Sequence, residues 1–253
     1  MTETELLTAY IEDKIRQSED QYRITSTGFL SAPEQRTAVN FCRAQGARHR
    51  LYGGYADAER AVLLLLPDYI EPDFTPQEDD DPLCLLVCHA PASARALSHR
   101  DYLGSLLALG LKREVIGDIL VRADGADILV LKSIAAFLAD EYKAAGSVPL
   151  TCEIKSISAL VPPEIRTETV RESVASARLD NMLSAAFGIS RADAISAIAR
   201  GIVFVNDAEA AKPDARVAPG DKLVLRGHGK AIFDEICGTT RKGRLSVSIR
   251  KFL

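Results

Sequence analysis

Residues 178–206 have the sequence RLDNMLSAAFGISRADAISAIARGIVFVN, which decides how the C-terminal third of the chain folds. Four apolar side chains have the i, i+3, i+4, i+7 spacing of one buried helical face: Leu179, Met182, Leu183 and Ala186. Gly188 ends this helix, and Ser190 can cap a second helix with a buried face of Ala and Ile. Gly201 then stands where a left-handed C-terminal cap is expected. The pattern predicts two short helices followed by a strand.

A basic, glycine-rich turn follows at residues 221–230, DKLVLRGHGK. The segment predicts a second strand that runs into a turn carrying Arg226, His228 and Lys230. Glycines beside these cations let the backbone approach a phosphate closely. Cations on a solvated turn can also serve solubility alone, so both interpretations stay open here.

Further cations extend this candidate surface. Arg191 lies in the first turn of the second predicted helix, where a cation opposes the helix dipole. Helix stability therefore does not explain Arg191, and the position favours an anionic partner such as RNA. Ser190 is first of all a helix cap. A second basic turn precedes an alternating C-terminal strand and can extend the surface through Arg241, Lys242 and Arg244.

The spacing of these elements, RLDxxL, SRxxAxxxIxxGxVxVN and PGDxLxLRGxGK, resembles the S4 domain, a small RNA-binding module. The match covers about a third of the chain. The resemblance implies that RNA is bound on the face of the two helices and the following loop, by shape and phosphate contact. The residues that stand in the motif are Arg178, Ser190, Arg191, Lys212, Arg226 and Lys230.

Charge is unevenly distributed along the 253 residues, whose formal net charge is −4. From Arg171 to Leu253 there are 14 Lys and Arg against 9 Asp and Glu, which leaves 17 against 26 before Arg171. A polyanion is therefore expected to meet the C-terminal part first. With 47% hydrophobic and 26% charged residues, the composition is that of an ordinary globular protein of one or two domains.

The cysteines and the apolar runs exclude several other classes. Five cysteines without CxxC spacing predict neither a metal site nor a disulfide framework, and we interpret them as buried thiols in a reducing cytosol. The longest apolar run, residues 61–66, is too short to span a bilayer. Residues 2–5 lack the basic start of a signal peptide. These features predict a cytoplasmic protein without membrane partners.

The rest of the chain predicts an α+β fold. Helices are expected near residues 3–18 and 33–44, and strands at 51–55 and 60–66, before an acidic loop at 71–81. A βαββαβ order follows, as in ferredoxin-like or RRM-like folds. Its strands are expected at 83–90, 118–122, 127–131 and 149–157, and its helices at 99–109 and 133–145. Because residues 126–131 contain no aromatic side chain, base stacking on that strand is not predicted.

These elements suggest three domains. We predict an N-terminal α/β region at 1–81, the RRM-like domain at 82–160, a linker at 161–171 and the S4-like domain at 172–253. The linker prediction rests on the paired prolines Pro162 and Pro163, which favour an extended spacer.

The segment 97–119 is the other long signature of the chain. Ser98 and Asp101 predict a capping box at its helix start. The triplet His99-Arg100-Asp101 is like the start of a kinase catalytic loop, but the Asn, Gly-rich loop and strand Lys of a kinase are missing. Lys112 and Arg113 can contact phosphate or simply lie on a solvated helix end, and both interpretations stay open.

Together with GGYADAER at residues 53–60 and the S4-like segment, this signature resembles the YlmH family of bacterial and plastid proteins over nearly the full length. The resemblance implies an RRM-like domain joined to a C-terminal S4 domain. It also implies rRNA and tRNA as partners, on large ribosomal subunits with stalled peptidyl-tRNA in ribosome-associated quality control. Some members are encoded beside cell-division genes.

Three functions therefore compete: a non-catalytic RNA-binding protein, an RNA-modifying enzyme of the pseudouridine synthase or methyltransferase type, and a cell-division interaction factor. The sequence contains no cofactor loop after a strand and no nucleotide-binding signature of a synthetase. We therefore predict no catalytic residue, no cofactor and no metal, and favour the first function.

Overall fold

A computed structural model describes residues 2–56, 58–71, 73–162, 166–206 and 208–252. By its internal contacts the chain divides into two units, Met1–Pro163 and Glu164–Leu253. The predicted boundary between residues 81 and 82 lies inside the first unit, and a division of that unit into two domains stays a prediction. The α+β fold class is confirmed.

The first unit begins with two helices and a small antiparallel sheet. Its elements are α1 (Glu3–Gln21), β1 (Thr25–Ser26), α2 (Ala32–Gln45), β2 (His49–Tyr52) and β3 (Val62–Leu65), with the sheet order β1-β3-β2. β2 ends at Tyr52, whereas the sequence predicted a strand over 51–55. The chain is closely packed after Tyr52, because a Cβ added to Gly53 would lie 2.4 Å from the Cβ of Ala58.

The ferredoxin-like order βαββαβ is confirmed in the second half of this unit. Its elements are β4 (Leu83–His89), α3 (His99–Ala108), β5 (Ile116–Arg122), β6 (Gly125–Leu131), α4 (Lys132–Glu141), β7 (Ala144–Ala145), β8 (Val148–Pro149) and β9 (Thr151–Lys155). The antiparallel sheet has the order β5-β6-β4-β9. α4 ends at Glu141 rather than at the predicted residue 145, because β7 and β8 form a tight hairpin around Gly146, whose φ is +60°.

Both faces of this four-stranded sheet are covered. Side chains such as Leu86 and Ile128 pack against α3 and α4 in one core. Their neighbours on the strands, such as Leu85 and Leu129, point to the other face, since strand side chains alternate. There they pack against Phe29 and other residues of the N-terminal half in a second core.

The two signature segments of the first unit bind each other. The carboxylate of Asp118 accepts hydrogen bonds from the Tyr55 hydroxyl at 2.7 Å and from the backbone N–H groups of Glu59 and Arg60 at 2.7 and 3.0 Å. The Arg60 guanidinium donates to backbone carbonyls, among them that of Ile116 at 3.1 Å. Burial lowers the pKa of Arg60. These signature residues therefore hold the fold together.

The second unit is one sheet with two helices on it. Its elements are β10 (Thr167–Val174), α5 (Leu179–Phe187), α6 (Arg191–Ala199), β11 (Val203–Val205), β12 (Ala208–Glu209), β13 (Lys222–Leu225), β14 (Gly229–Thr239) and β15 (Leu245–Phe252). The sheet order is β10-β15-β14-β13-β11-β12. The two helices and one face of the sheet enclose a single core that includes Leu183, Ile198 and Phe233.

The predicted linker over 161–171 is wrong for residues 167–171. β10 begins at Thr167 and pairs with β15 along its whole length, from Thr167 opposite Phe252 to Val174 opposite Leu245. The alternation of exposed residues with Val170 and Val174 is weak, so this edge strand has little signal in the sequence. Pro163 lies outside the described residues.

The predicted helix ends of the second unit are confirmed. Gly188 ends α5 with φ of +65°, and the Ser190 hydroxyl accepts a hydrogen bond from the backbone N–H of Asp193 at 3.1 Å. Gly201 follows α6 with φ of +68°. In the described ranges no single helix has the length and apolarity to cross a membrane. Taken together, the consecutive helices α5 and α6 are long and apolar enough, but the pair is bent by 113°.

Candidate nucleic-acid interface

Asp180 is the centre of an ion-pair cluster between α5 and α6. Its carboxylate is 0% exposed and accepts hydrogen bonds from Arg178 Nη2 at 3.1 Å and from Arg191 Nε at 2.9 Å. Burial by itself would raise the pKa of Asp180, but the hydrogen bonds and charges of the two arginines outweigh burial and lower it. We call these three residues the Asp180 cluster.

The Asp180 cluster corrects the interpretation of Arg191. The sequence left this cation at a helix start without a structural reason, whereas the structure gives one, a salt bridge of 2.8 Å to a buried carboxylate. The side chains of Arg178 and Arg191 stay 39% and 57% exposed. They can therefore present donors to a ligand while Asp180 fixes their positions, and one buried negative charge offsets part of their positive charge.

The start of α5 is occupied by the chain itself. The backbone N–H of Leu179 donates to the carbonyl of Ala215 at 2.8 Å, and that of Asp180 donates to the carbonyl of Pro213 at 3.0 Å. These amides are therefore unavailable to a phosphate. The same loop carries Lys212, which is exposed, so the predicted contact at Lys212 lies beside the Asp180 cluster.

Ser190 is engaged as a cap in the way the sequence predicted. Its hydroxyl binds the Asp193 carboxylate at 2.7 Å as well as the Asp193 backbone N–H. An RNA contact through Ser190 would have to displace the carboxylate or share the hydroxyl.

Two cations lie against aromatic rings on the sheet face that points away from the core. Phe204, Val224 and Lys230 are directly paired across β11, β13 and β14. The Arg226 guanidinium lies 4.5 Å from the centre of the Phe204 ring, and the Lys230 ammonium lies 4.6 Å from that of Phe252. These distances are within the range of cation–π interactions. The rings therefore fix two predicted contact residues at the basic turn, where His228 is also exposed.

The second basic turn is the tip of the β14–β15 hairpin. Arg241 and Lys242 are exposed there. The guanidinium of Arg244 instead donates to the Ser173 hydroxyl at 3.1 Å and to the Ser173 carbonyl, which fastens the hairpin to β10. The predicted RNA role of Arg244 is thus combined with a structural one.

Lys112 and Arg113 of the first unit differ in their environments. Lys112 is 81% exposed, 3.9 Å from Glu114. The Arg113 guanidinium points inward and donates to the carbonyls of Ile116 at 2.7 Å and Gly117 at 3.1 Å. Burial and the positive charge of the nearby Arg60 lower the pKa of Arg113 to about 10. The structure therefore gives Arg113 a structural role, and a phosphate contact at Arg113 stays a prediction.

The ferredoxin-like sheet does not offer the binding face of an RNA-recognition motif. Both of its faces are buried among the described residues, one under α3 and α4 and the other under the N-terminal half. Base stacking on its central strands is therefore blocked by packing. The lack of aromatic side chains at residues 126–131 had already led us to predict no base stacking on that strand.

Sequence reasoning missed Phe204 and Phe252, and it assigned Asp180 only to the motif. The signal for Phe204 was present, since it follows the core residue Val203 on a strand and must point to the opposite face. No group of three or more His, Cys, Asp or Glu side chains that could hold a metal occurs in the part of the chain that the structure describes.

These features define an α+β protein whose second unit has a partly aromatic, basic surface. A family model described as "Putative RNA-binding domain in YlmH" matches residues 76–159. The chain is 30% identical over 233 residues to "Ribosome-associated protein quality control protein P2" of Bacillus subtilis (strain 168), across 92% of this chain and 89% of the relative. The chain therefore belongs to the YlmH family.

A solved structure has the same fold over part of the chain. It is titled "Cell division protein ylmH from Streptococcus pneumoniae" and has a TM-score of 0.51 and 23% identity. The match covers 64% of this chain and 96% of that one.

Proposed function

We propose that the protein is a non-catalytic RNA-binding protein that associates with ribosomes through its C-terminal unit. More specifically, we propose that it acts on large subunits with stalled peptidyl-tRNA in ribosome-associated quality control. The printed name of its Bacillus subtilis relative supports the ribosome-associated quality control part of this proposal. RNA would be held mainly through phosphate, by Arg178, Arg191, Lys212, Arg226 and Lys230, with His228, Arg241 and Lys242 extending the surface. Lys112 is a separate proposed contact in the first unit.

The observation that carries this proposal is the collection of positive charge on one folded unit. Residues 164–253 contain 15 Lys and Arg against 11 Asp and Glu, while residues 1–163 contain 16 against 24. A polyanion is thus attracted to the second unit and repelled by the first. Arg226 and Lys230 lie over aromatic rings, which hold these two cations at the surface.

The test uses the double variant Arg226→Gln/Lys230→Gln. Arg191→Glu would be a poor choice, because it puts a second carboxylate beside the buried Asp180. A loss of RNA binding by that variant could come from misfolding. A matched control is Lys14→Gln/Arg16→Gln on α1, which removes the same charge and also includes a cation over a ring, Lys14 near Tyr10 at 5.7 Å.

Affinity for a ribosomal RNA fragment is measured against salt concentration, together with co-sedimentation with large subunits. Each phosphate contact contributes about 0.7–0.9 to the slope of log affinity on log salt, so two lost contacts lower it by about 1.4–1.8. We expect this reduction and weaker co-sedimentation for the C-terminal variant and unchanged binding for the control. Equal slopes for the wild type and the C-terminal variant would contradict the proposed interface.

The same measurements separate the alternatives. A methyltransferase would raise the mass of the bound RNA when a methyl donor is supplied. A pseudouridine synthase isomerises uridine without a change of mass and without a cofactor, so it would be detected by chemical labelling of pseudouridine in the bound RNA. A division factor that works through protein contacts would show neither the salt slope nor the co-sedimentation.

A further inference from the structure

Two cysteines face each other across adjacent strands of the ferredoxin-like sheet. Cys88 on β4 is directly opposite Cys152 on the edge strand β9. Their sulfurs are 2.9 Å apart, and both are free thiols. Opposite residues of an antiparallel pair have Cα atoms about 4.5–5.5 Å apart. This separation lies within the range of about 4.4–6.8 Å that disulfides span.

The two thiols differ in access. Cys88 is buried in the core under α3 and α4, whereas Cys152 is partly exposed at the edge of the sheet. The hydrogen bond between the two sulfurs lowers the pKa of Cys152, and the charge of Lys143 acts in the same direction. The same hydrogen bond, together with burial, raises the pKa of Cys88. Cys152 is thus the thiol that an oxidant in solution reaches first, and of the two it is the one whose thiolate form is favoured.

We infer that Cys88 and Cys152 form a dithiol modification site that closes reversibly to an intramolecular disulfide when it meets hydrogen peroxide. The Cys152 thiolate attacks the peroxide, so that an S–O bond forms, the O–O bond breaks and hydroxide leaves. The Cys88 sulfur then attacks the Cys152 sulfenic acid, the S–S bond forms and water is released. Two thiols are oxidised and one peroxide is reduced; a small dithiol reverses the reaction by exchange.

Closure requires little movement of the protein. The sulfurs must approach by about 1 Å to reach the disulfide bond length. The bond would tie β9 to the middle of its sheet. β9 is also the last strand before residues 156–162, which lead to the second unit, so the state of the dithiol fixes one end of that connection.

This site also corrects the interpretation of the cysteines from the sequence. Cys42, Cys84 and Cys88 are buried as predicted, whereas Cys152 is partly exposed and Cys237 is exposed. Cys84 is a natural control because it shares the strand and the core of Cys88 but has Val130 opposite it on β6.

The experiment treats the full-length Cys237→Ser protein, which lacks the exposed thiol, with hydrogen peroxide or with oxidised glutathione. Peptide mass spectrometry and thiol counting then follow the cysteines. We expect a Cys88–Cys152 linked peptide, a loss of two titratable thiols and a higher midpoint of thermal unfolding, all reversed by dithiothreitol. Cys84→Ala should keep this behaviour, and Cys152→Ser should lose it.

A different product would overturn the inference. If Cys152 is driven to sulfinic acid or to a stable mixed disulfide with glutathione while Cys88 stays free, the pair is not a disulfide site. An unfolding midpoint that stays the same although the linked peptide forms would rule out that the bond fixes β9. None of these results depends on RNA binding.

Discussion

Asp180 controls the positions of two cations although it cannot itself touch a ligand. It is fully buried between Arg178 and Arg191, whose guanidiniums reach the surface. A buried carboxylate is tolerated only when it is paired and hydrogen-bonded, and here the pairing also presents two sets of donors in a fixed arrangement. The same residues thus stabilise the α5–α6 pair and form part of the proposed RNA surface.

Asp180→Asn should lower the free energy of unfolding of the second unit by about 1–3 kcal/mol, the range for hydrogen bonds to a charged group. The cost stays below that of breaking a fully buried pair, because the half-exposed arginines can turn to water. Since arginine contacts lower the pKa of Asp180 in the folded protein, its stabilising effect is complete above the unfolded value of about 3.9 and is lost as pH falls through the lower, folded value.

Denaturant unfolding between neutral pH and strong acid measures this difference. The difference in the free energy of unfolding between wild type and Asp180→Asn should be constant above about pH 5 and should shrink in acid. The exposed Glu172→Gln on β10 is the control, with little effect at any pH. A gap that grows as pH falls would mean that Asp180 is destabilising when charged.

Among the secondary-structure elements, the ferredoxin-like sheet lies between two layers, with α3 and α4 on one face and the N-terminal half of the first unit on the other. The Arg60 and Asp118 contacts and the core around Phe29 cover the face that an RNA-recognition motif keeps open. This packing is close, since a Cβ added to Gly117 on β5 would stand 2.6 Å from two atoms of the Phe29 ring. The layer therefore depends on a glycine at that position.

Two glycine-to-alanine substitutions in the first unit should have opposite effects. Gly117→Ala forces the Phe29 ring to move and should destabilise by about 1–3 kcal/mol. Gly104→Ala, within α3 and with no atom within 4 Å of the new Cβ, should stabilise by about 0.4–1 kcal/mol because alanine loses less backbone entropy. Chemical denaturation of both proteins measures the signs. A neutral Gly117→Ala would show that the Phe29 core is loosely packed.

In the whole molecule, the hydrophobic cores and the net charge divide between the same two units. Among the described residues, three core clusters lie in the first unit and one lies in the second. The acidic unit and the basic unit are therefore also separate packing units. This arrangement lets one unit carry a surface for a polyanion while the net charge of the chain stays at −4.

Calorimetric unfolding of the whole chain should show two transitions, because each unit has its own core. Asp180→Asn should lower only one midpoint and Gly117→Ala only the other. One transition that both variants shift equally would contradict this prediction and would mean that the units unfold together.

Features that depend on local periodicity and helix capping could be predicted from the amino-acid sequence alone. The α5–α6 pair, the caps at Ser98 and Ser190, the left-handed turns at Gly188 and Gly201 and the βαββαβ order all follow from neighbours within a few residues. The basic character of the last third is likewise a simple count. These features need no knowledge of distant contacts.

The partners of individual side chains follow from the tertiary structure and not from the sequence pattern. Arg113 points inward, Arg191 binds a carboxylate eleven positions away, Arg244 fastens β10, and Cys88 meets Cys152 from 64 positions away. The edge strand β10 exists because β15 pairs with it, and the ferredoxin-like sheet is covered because a separate core forms over it. Except for Arg113, which donates to carbonyls three and four positions away, these pairings join residues eleven or more positions apart, so no local pattern specifies them.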